Sequence, residues 1–258
     1  MKAIILAAGA AQRLRPYTDN TPKCLITVGP KTILENQLDA IRSVGIKEVI
    51  IVVGYLKEQI ISFARKKYPD LNFKFITNAD YASTNTIYSL WLTREDMLQD
   101  DFIYFNADVI FHPEILVRLL GNDFPSALAV DKKRCAEEEV KVIVNGKGRI
   151  TDIGKELDTS VAAGEFIGVA RFGKSINPVF VEKLEEAVQA KNVQAFFELA
   201  LQNMADLVEL FEVDVSDVPC IEIDFPEDLE TARNVIYPQM SEFGILGLDE
   251  VAAAGSDQ

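Results

Sequence analysis

The chain has little of what disulfide frameworks, zinc sites and imidazole catalysis are built from: three cysteines, one histidine and one tryptophan in 258 residues. Cys24, Cys135 and Cys220 are odd in number and lack metal-ligand spacing, which argues against a disulfide scaffold or a zinc site and makes a reducing compartment the default. His112 lies in a helix-opening turn, a place where a histidine is more often structural than catalytic. No apolar run approaches membrane-spanning length, and Met1-Lys2 leads straight into a short apolar strand without the tripartite pattern of a signal peptide. The expectation is a soluble, cytoplasmic protein. Positive charge is scarce as well. Lys and Arg number 26 against 40 Asp and Glu, and a formal charge of -14 repels nucleic acid and anionic membranes, leaving a small molecule as the expected partner. Internal repeats and long linkers are absent too.

What is present is enough apolar material, 48% of the residues, to bury one sizeable core with a small appended lobe. Lys2 to Leu6, Glu48 to Val53, Asn72 to Ile76 and Phe102 to Asn106 read as strands. Between and after them, Thr32 to Val44, Lys57 to Tyr68, Thr86 to Met97 and Pro113 to Leu120 read as helices. Such alternation predicts a doubly wound α/β unit, with a mostly parallel sheet covered on both faces. After Ser126 the pattern changes to short strands at Ala127 to Val130, Val140 to Val144, Arg149 to Ile153 and Phe166 to Phe172, a small mixed β extension. Helices near Asn177 to Ala190 and Val193 to Asn203 follow, then strands near Val208 to Asp214 and Cys220 to Ile223 and a helix opened by Pro226. The expected organisation is one domain over 1–239, divided into a nucleotide-binding half (1–125) and an acceptor-binding half (126–239). A weakly patterned tail over 240–258 would be mobile or dock on a second subunit of a homo-oligomer.

The basic residues are placed rather than scattered. Residues 1–34 carry Lys2, Arg13, Arg15, Lys23 and Lys31 against a single acid, Asp19. The run LAAGAAQRLRPYTDNTPK, Leu6 to Lys23, follows the first strand, where open parallel sheets bind ligands. Gly9 allows close backbone approach, and Arg13 and Lys23 can neutralise a triphosphate, with Pro22 stiffening the approach to Lys23. An ordinary solvated polar loop is the plainer alternative. The Gly-x-Gly-x-x-Gly spacing of a dinucleotide loop is missing. Asp108 ends the apolar run FIYFNAD, and Asp224 lies in CIEIDFPEDLETA. Each is either a magnesium ligand at a strand's carboxyl end or a helix-capping aspartate, and the residues alone leave both readings open.

The ordered run from Leu6 to Lys23 resembles the signature of the sugar-phosphate nucleotidyltransferase superfamily, L-A-A-G-x-G-x-R-L-x-P-x-T-x-x-x-P-K. The resemblance implies a Rossmann-like nucleotidyltransferase fold whose loop wraps a nucleoside triphosphate. It makes Leu6, Ala7, Ala8 and Gly9 nucleotide-binding and Arg13 and Lys23 catalytic. The sequence departs at Ala11, where the family has a second glycine; an alanine held at positive φ costs about 1 kcal/mol. The resemblance also resolves the two aspartates, since the family holds Mg2+ with one aspartate at each of these places, Asp108 bordering the nucleotide as well. TDIGKEL, Thr151 to Leu157, is similar to the acceptor-phosphate segment and gives Lys155 its catalytic and acceptor-binding role. AAGEFIGVARF, Ala162 to Phe172, matches the next strand, with Gly164 and Glu165 edging the acceptor pocket.

Within the superfamily, NADYASTNTIYSLWL (Asn78 to Leu92), GYLKEQI and the closing EID-x-x-EDLE resemble the phosphocholine cytidylyltransferase group over nearly the whole length. That likeness implies transfer of CMP from CTP to a small phosphate or phosphonate acceptor, with pyrophosphate released. It assigns Asn78, Asn85 and Ser89 to the nucleotide, the last two at a helix start whose free amides could hold base and ribose. Tyr88 and Trp91, three apart, read as core. The group includes enzymes acting on aminoethyl- and hydroxyethylphosphonate, and a related one acts on inositol phosphate, so the acceptor stays open. Two rivals remain: a sugar-1-phosphate or inositol-phosphate transferase using another triphosphate, and a catalytically inactive nucleotide-binding regulatory relative. The second would be expected to lose some of Arg13, Lys23, Asp108, Lys155 and Asp224, all of which this chain keeps.

Overall fold

The structure, a computed structural model, describes residues 1–243. Strand β1 (Lys2–Ala7) leads into a loop with two 3-10 turns (Gln12–Leu14 and Lys23–Leu25), a small hairpin β2 (Thr27–Val28) and β3 (Lys31–Thr32), and helix α1 (Ile33–Ser43). Next come β4 (Glu48–Val53), α2 (Lys57–Lys67), β5 (Asn72–Thr77), α3 (Thr86–Trp91), α4 (Arg94–Met97), β6 (Phe102–Asn106), β7 (Val109–Phe111) and α5 (Glu114–Leu120). The second half holds β8 (Ser126–Asp131), β9 (Lys141–Val144), β10 (Ile150–Gly154), β11 (Gly164–Phe172), α6 (Asn177–Gln189), α7 (Glu198–Met204), β12 (Phe211–Asp214) and β13 (Cys220–Glu222). It ends in α8 (Pro226–Thr231), a π-helical stretch (Ala232–Ile236) and α9 (Tyr237–Glu242).

Nine strands form one sheet. β5, β4, β1 and β6 are mutually parallel, β11 runs antiparallel beside β6, and β8 and β12 extend the sheet beyond β11. The hairpin β9–β10 branches from the first residues of β11 and is the mixed β extension. Side-chain alternation explains why the central strands read as unbroken apolar runs. Ala3, Ile5 and Ala7 of β1 enter one core with α1, α2 and α5, while Ile4, Leu6 and Ala8 enter a second core with α3, α6 and α7. A third, smaller core joins Leu14, Ile26, Ile33, Ile110, Ile223 and Leu229 beneath the loop that follows β1. α1 begins with a reciprocal cap: the Glu35 amide donates to Thr32 Oγ1 at 3.1 Å and the Thr32 amide to the Glu35 carboxylate at 2.8 Å.

Several expected boundaries move for local reasons. The helix expected over Thr86 to Met97 breaks in two at Thr93, whose buried hydroxyl donates to the Leu90 carbonyl at 2.7 Å in competition with the helix ladder. The helix expected from Val193 starts only at Glu198, because the Val193 and Ala195 carbonyls accept the Asn85 and Ile87 amides at the head of α3. The run FIYFNAD is β6 and the start of a turn, with Asp108 in that turn before β7. The expected division near residue 125 does not interrupt the sheet, since β11 pairs with β6 across it. Met240 to Glu242 belong to α9, and the rest of the expected tail, 244–258, lies outside the described residues.

β11 carries a bulge between Phe166 and Ala170 in its pairing with β8, with Gly168 at φ +75. A Cβ on Gly168 would fall 2.6 Å from Asn106 Nδ2, so glycine is needed both for the backbone and for the approach of the last residue of β6. Gly168→Ala is therefore expected to destabilise the protein by about 1 to 3 kcal/mol in denaturant unfolding. An unchanged midpoint would mean that β11 runs through this point without the bulge.

Candidate active site

A crevice of about 300 Å³ opens at the carboxyl ends of β1, β6 and β10, bordered by Leu6, Ala7, Gly9, Arg13, Lys23, Asn85, Asp108 and Lys155. The loop after β1 is strapped down on its outer side. Tyr55 donates its amide to the Ala8 carbonyl (2.9 Å) and its hydroxyl to the Thr18 and Asp19 carbonyls (3.0 and 2.7 Å). Gly54 permits that approach, because a Cβ there would lie 2.6 Å from the Ala8 oxygen. Ala11 adopts φ 43, the positive value that its departure from glycine put in question, and its carbonyl accepts from Thr18 Oγ1 at 2.9 Å. Leu14 is fully buried in the third core, which anchors Arg13 beside it at the crevice wall.

The two aspartates are brought together by a short ladder between the strand expected near Cys220 to Ile223 and β7, which the sequence did not show. β7 and β13 pair antiparallel, Val109 opposite Glu222, and the Ile223 amide donates to the Asp108 carbonyl at 3.0 Å. Lys23 Nζ then bridges Asp108 Oδ2 and Asp224 Oδ1, each at 2.7 Å. The Arg13 guanidinium meets Asp224 Oδ2 at 2.5 Å and lies 4.9 Å from the Phe225 ring centre. Asp224 does not cap α8. Asp228 does so, accepting the amides of Asp224 and Phe225 at 2.9 and 2.7 Å, which leaves the Asp224 carboxylate to the crevice.

Charge is concentrated here. Burial opposes the charge of Lys23, but Asp108 and Asp224 outweigh it and raise its pKa. Burial likewise opposes ionisation of Asp224, and Lys23 and Arg13 outweigh it and lower the carboxyl pKa. Glu222 is pushed the other way, well above the carboxylate range, by burial and by the two neighbouring aspartates. Donor oxygens of Asp108, Glu222 and Asp224 lie within 4.8 Å of one another, and Asp108 Oδ1 is buried with no hydrogen-bond partner among the described residues. A hard, oxygen-only donor set with an orphaned carboxylate oxygen fits a divalent cation such as magnesium.

Lys155 follows β10 and reaches the same crevice; its carbonyl accepts from the buried Lys141 ammonium at 2.5 Å, and its own ammonium stands 4.6 Å over the Phe196 ring. Asn85 also borders the crevice, but the amides at the start of α3 are not free. Those of Asn85 and Ile87 go to Val193 and Ala195, and that of Thr86 to the Asn85 side chain at 2.8 Å. Asn78 and Ser89 do not reach the crevice. The Asn78 amide group donates to Thr84 Oγ1 (3.0 Å) and Ser89 Oγ (3.1 Å), which ties down the loop before α3. Ala8 is buried beneath the loop. Gly164 packs against the Asp131 carbonyl and Glu165 pairs with Lys133 at 2.7 Å, so neither borders the crevice. Tyr88 and Trp91 stack on one another at 5.4 Å against the second core. His112 accepts the Glu114 amide at 3.2 Å, a structural bond at the head of α5.

Among the crevice residues that escaped the sequence reading are Asn106, Phe196, Glu198 and Glu222. Glu222 carried a signal, since an acid two residues before Asp224 at a strand end shares its face. A wider depression of about 620 Å³ lies at the amino ends of β1, β4 and β5, but its Lys74 is already paired with Asp96 at 2.8 Å and it lacks a phosphate loop or carboxylate cluster. The crevice is where the chemistry collects.

A doubly wound sheet with an anion loop after β1, and a carboxylate cluster facing it, defines a nucleotide-handling α/β protein. The chain belongs to the MobA-like NTP transferase domain family, whose model matches residues 3–151. It is 28% identical to CTP:phosphoglutamine cytidylyltransferase of Campylobacter jejuni, over 89% of this chain and 98% of that one. It is 46% identical to choline-phosphate cytidylyltransferase of Streptococcus pneumoniae over 97 residues, a stretch that covers 38% of this chain and 41% of that relative. The solved structure of the CTP:phosphocholine cytidylyltransferase from Streptococcus pneumoniae superposes with a TM-score of 0.75 at 28% identity, covering 90% of this chain and 97% of that one. The inositol-1-phosphate CTP transferase of T. maritima, at 22% identity and a TM-score of 0.77, shares the fold over 93% of this chain and 95% of that one.

The left-handed Ala11 gives a direct check on the loop. Ala11→Gly is expected to raise stability by up to about 1 kcal/mol and Ala11→Val to lower it by more than that, both read from denaturant midpoints. A loss with glycine and no loss with valine would show that the residue is not held at positive φ.

Proposed function

We propose that the chain is a cytoplasmic, magnesium-dependent cytidylyltransferase that moves CMP from CTP to a small phosphate- or phosphonate-bearing acceptor of the phosphocholine kind and releases pyrophosphate. The observation that carries this reading is the cluster in which Lys23, from the loop after β1, bridges Asp108 and Asp224. The choice of CTP is supported by the relatives named for CTP, phosphocholine and phosphoglutamine.

The reaction is in-line attack of an acceptor phosphate or phosphonate oxygen on the α-phosphorus of the nucleotide. The attacking group is already an anion, so no side-chain base is required, and the work of the protein is to bring two anions together and hold them aligned. In this reading Arg13 and Lys23 neutralise triphosphate charge and Lys155, which borders the same crevice and whose carbonyl accepts from Lys141, takes the acceptor phosphate. Asp108, Asp224 and Glu222 would hold magnesium, which when bound supplies further positive charge at the phosphate oxygens. Holding the two anions in line can account for roughly 7 to 11 kcal/mol of barrier.

The test is a pyrophosphate-release panel of the four triphosphates against phosphocholine, aminoethylphosphonate, inositol phosphate and sugar 1-phosphates. CTP is expected to be preferred, and Arg13→Ala and Lys23→Ala are each expected to lower turnover by about two to three orders of magnitude without loss of fold. Preference for another triphosphate with a sugar phosphate would replace this reading. Failure to release pyrophosphate from any of them would favour an inactive relative.

A further inference from the structure

The acceptor side of the crevice contains a carboxylate with no task in the reaction described above. Glu198 opens α7 and borders the crevice with Phe196, Val140 and Lys155. An acid in the first turn of a helix ordinarily complements the helix dipole at the surface. Glu198 is instead only 6% exposed, and its Oε2 is buried without a hydrogen-bond partner among the described residues. Burial drives its carboxyl up to about 7, outweighing its own backbone amide and the Lys155 charge. A buried acid in this condition is costly in its charged form unless a cation arrives beside it.

Phe196, two residues earlier, is 43% exposed and already carries a cation on its face, the Lys155 ammonium at 4.6 Å. The charge of Lys155 acts on Glu198 and on Asp224 alike, and all three border the one crevice. Once Lys155 turns to an acceptor phosphate, Glu198 and Phe196 are left as an anionic wall and an aromatic face with no cation between them. Of the four carboxylates in the crevice, Asp108, Glu222 and Asp224 form the single cluster around Lys23. Glu198 is the one left over.

We propose that Glu198 is a specificity-determining residue that, together with the Phe196 ring, receives an ammonium group carried by the acceptor a few bonds away from its phosphate. The proposal rests on the reading of the crevice as a nucleotidyl-transfer site in which Lys155 holds the acceptor phosphate. A neutral acceptor such as a sugar phosphate leaves Glu198 a buried, unpartnered acid and is selected against for that reason. Aromatic faces and desolvated carboxylates both favour organic cations, and together they separate a cationic acceptor from a neutral one of equal size.

Two size-matched pairs test this: phosphocholine against 3,3-dimethylbutyl phosphate, and 2-aminoethyl phosphate against propyl phosphate. Calorimetric binding to the wild-type protein, and kcat/KM with CTP and magnesium, are measured for each. The cationic member of at least one pair is expected to be preferred by about tenfold or more. Glu198→Gln is expected to bring that ratio close to one, through a higher KM for the cationic member. Equal binding within both pairs, or an undiminished preference in Glu198→Gln, overturns the proposal. Should Glu198→Gln fail to fold, Phe196→Leu, at an exposed side chain, is expected to lower the same ratio, and an undiminished preference there overturns the proposal equally. A binding preference without any release of pyrophosphate would sink the cytidylyltransfer reading and leave the ammonium site standing.

Discussion

Three carboxylates, Asp108, Glu222 and Asp224, are held within reach of one another at one end of the sheet, and such an arrangement is tolerable only because cations are built in among them. Lys23 shares its ammonium between the two aspartates and Arg13 covers the far oxygen of Asp224. The opposing pKa shifts follow from the same geometry: Lys23 raised and Asp224 lowered by their pairing against the opposition of burial, Glu222 forced upward by burial and by the two aspartates beside it. Much of the surrounding structure serves to keep these groups in register. The third core buries Leu14, Ile110 and Ile223, which are close in sequence to Arg13, Asp108 and Asp224. Packing three apolar side chains therefore positions the charged residues near them.

The sheet order places each contributor. β1 delivers the loop with both cations, and β6 beside it delivers Asn106 and the turn with Asp108. β13, arriving from the far end of the chain, pairs with β7 and brings Glu222 and Asp224. From the other side, β10 presents Lys155 and the segment before α7 presents Phe196 and Glu198. On the proposed reading, the crevice has a nucleotide side built mainly by the first half and an acceptor side built mainly by the second.

The first half was the more legible in the sequence. Its strands are buried on both faces and read as continuous apolar runs, and its loop carries Gly9, Arg13 and Lys23 in one ordered segment. Of the β7–β13 ladder only β13 was legible, as the strand expected near Cys220 to Ile223; β7 is three residues long with no periodicity to detect, so the pairing that joins the two aspartates was hidden. The capping reading of Asp224 was reasonable on sequence, and only the three-dimensional structure shows Asp228 taking that role. On the acceptor side, Gly164 and Glu165 lie on a strand as expected but turn toward Asp131 and Lys133. Glu198 sits in AFFELALQ, where a first-turn acid looks like an ordinary dipole partner, and only its burial makes it unusual.

The central claim is that Asp108 and Asp224 act as one unit in binding magnesium and aligning phosphates. The most direct measurement is turnover of Asp108→Asn, Asp224→Asn and the double variant across a magnesium titration. A shared site predicts that either substitution cripples turnover and shifts the magnesium dependence, and that the double variant loses little more than the worse single one. Independent losses that multiply in the double variant and ignore magnesium would contradict the account.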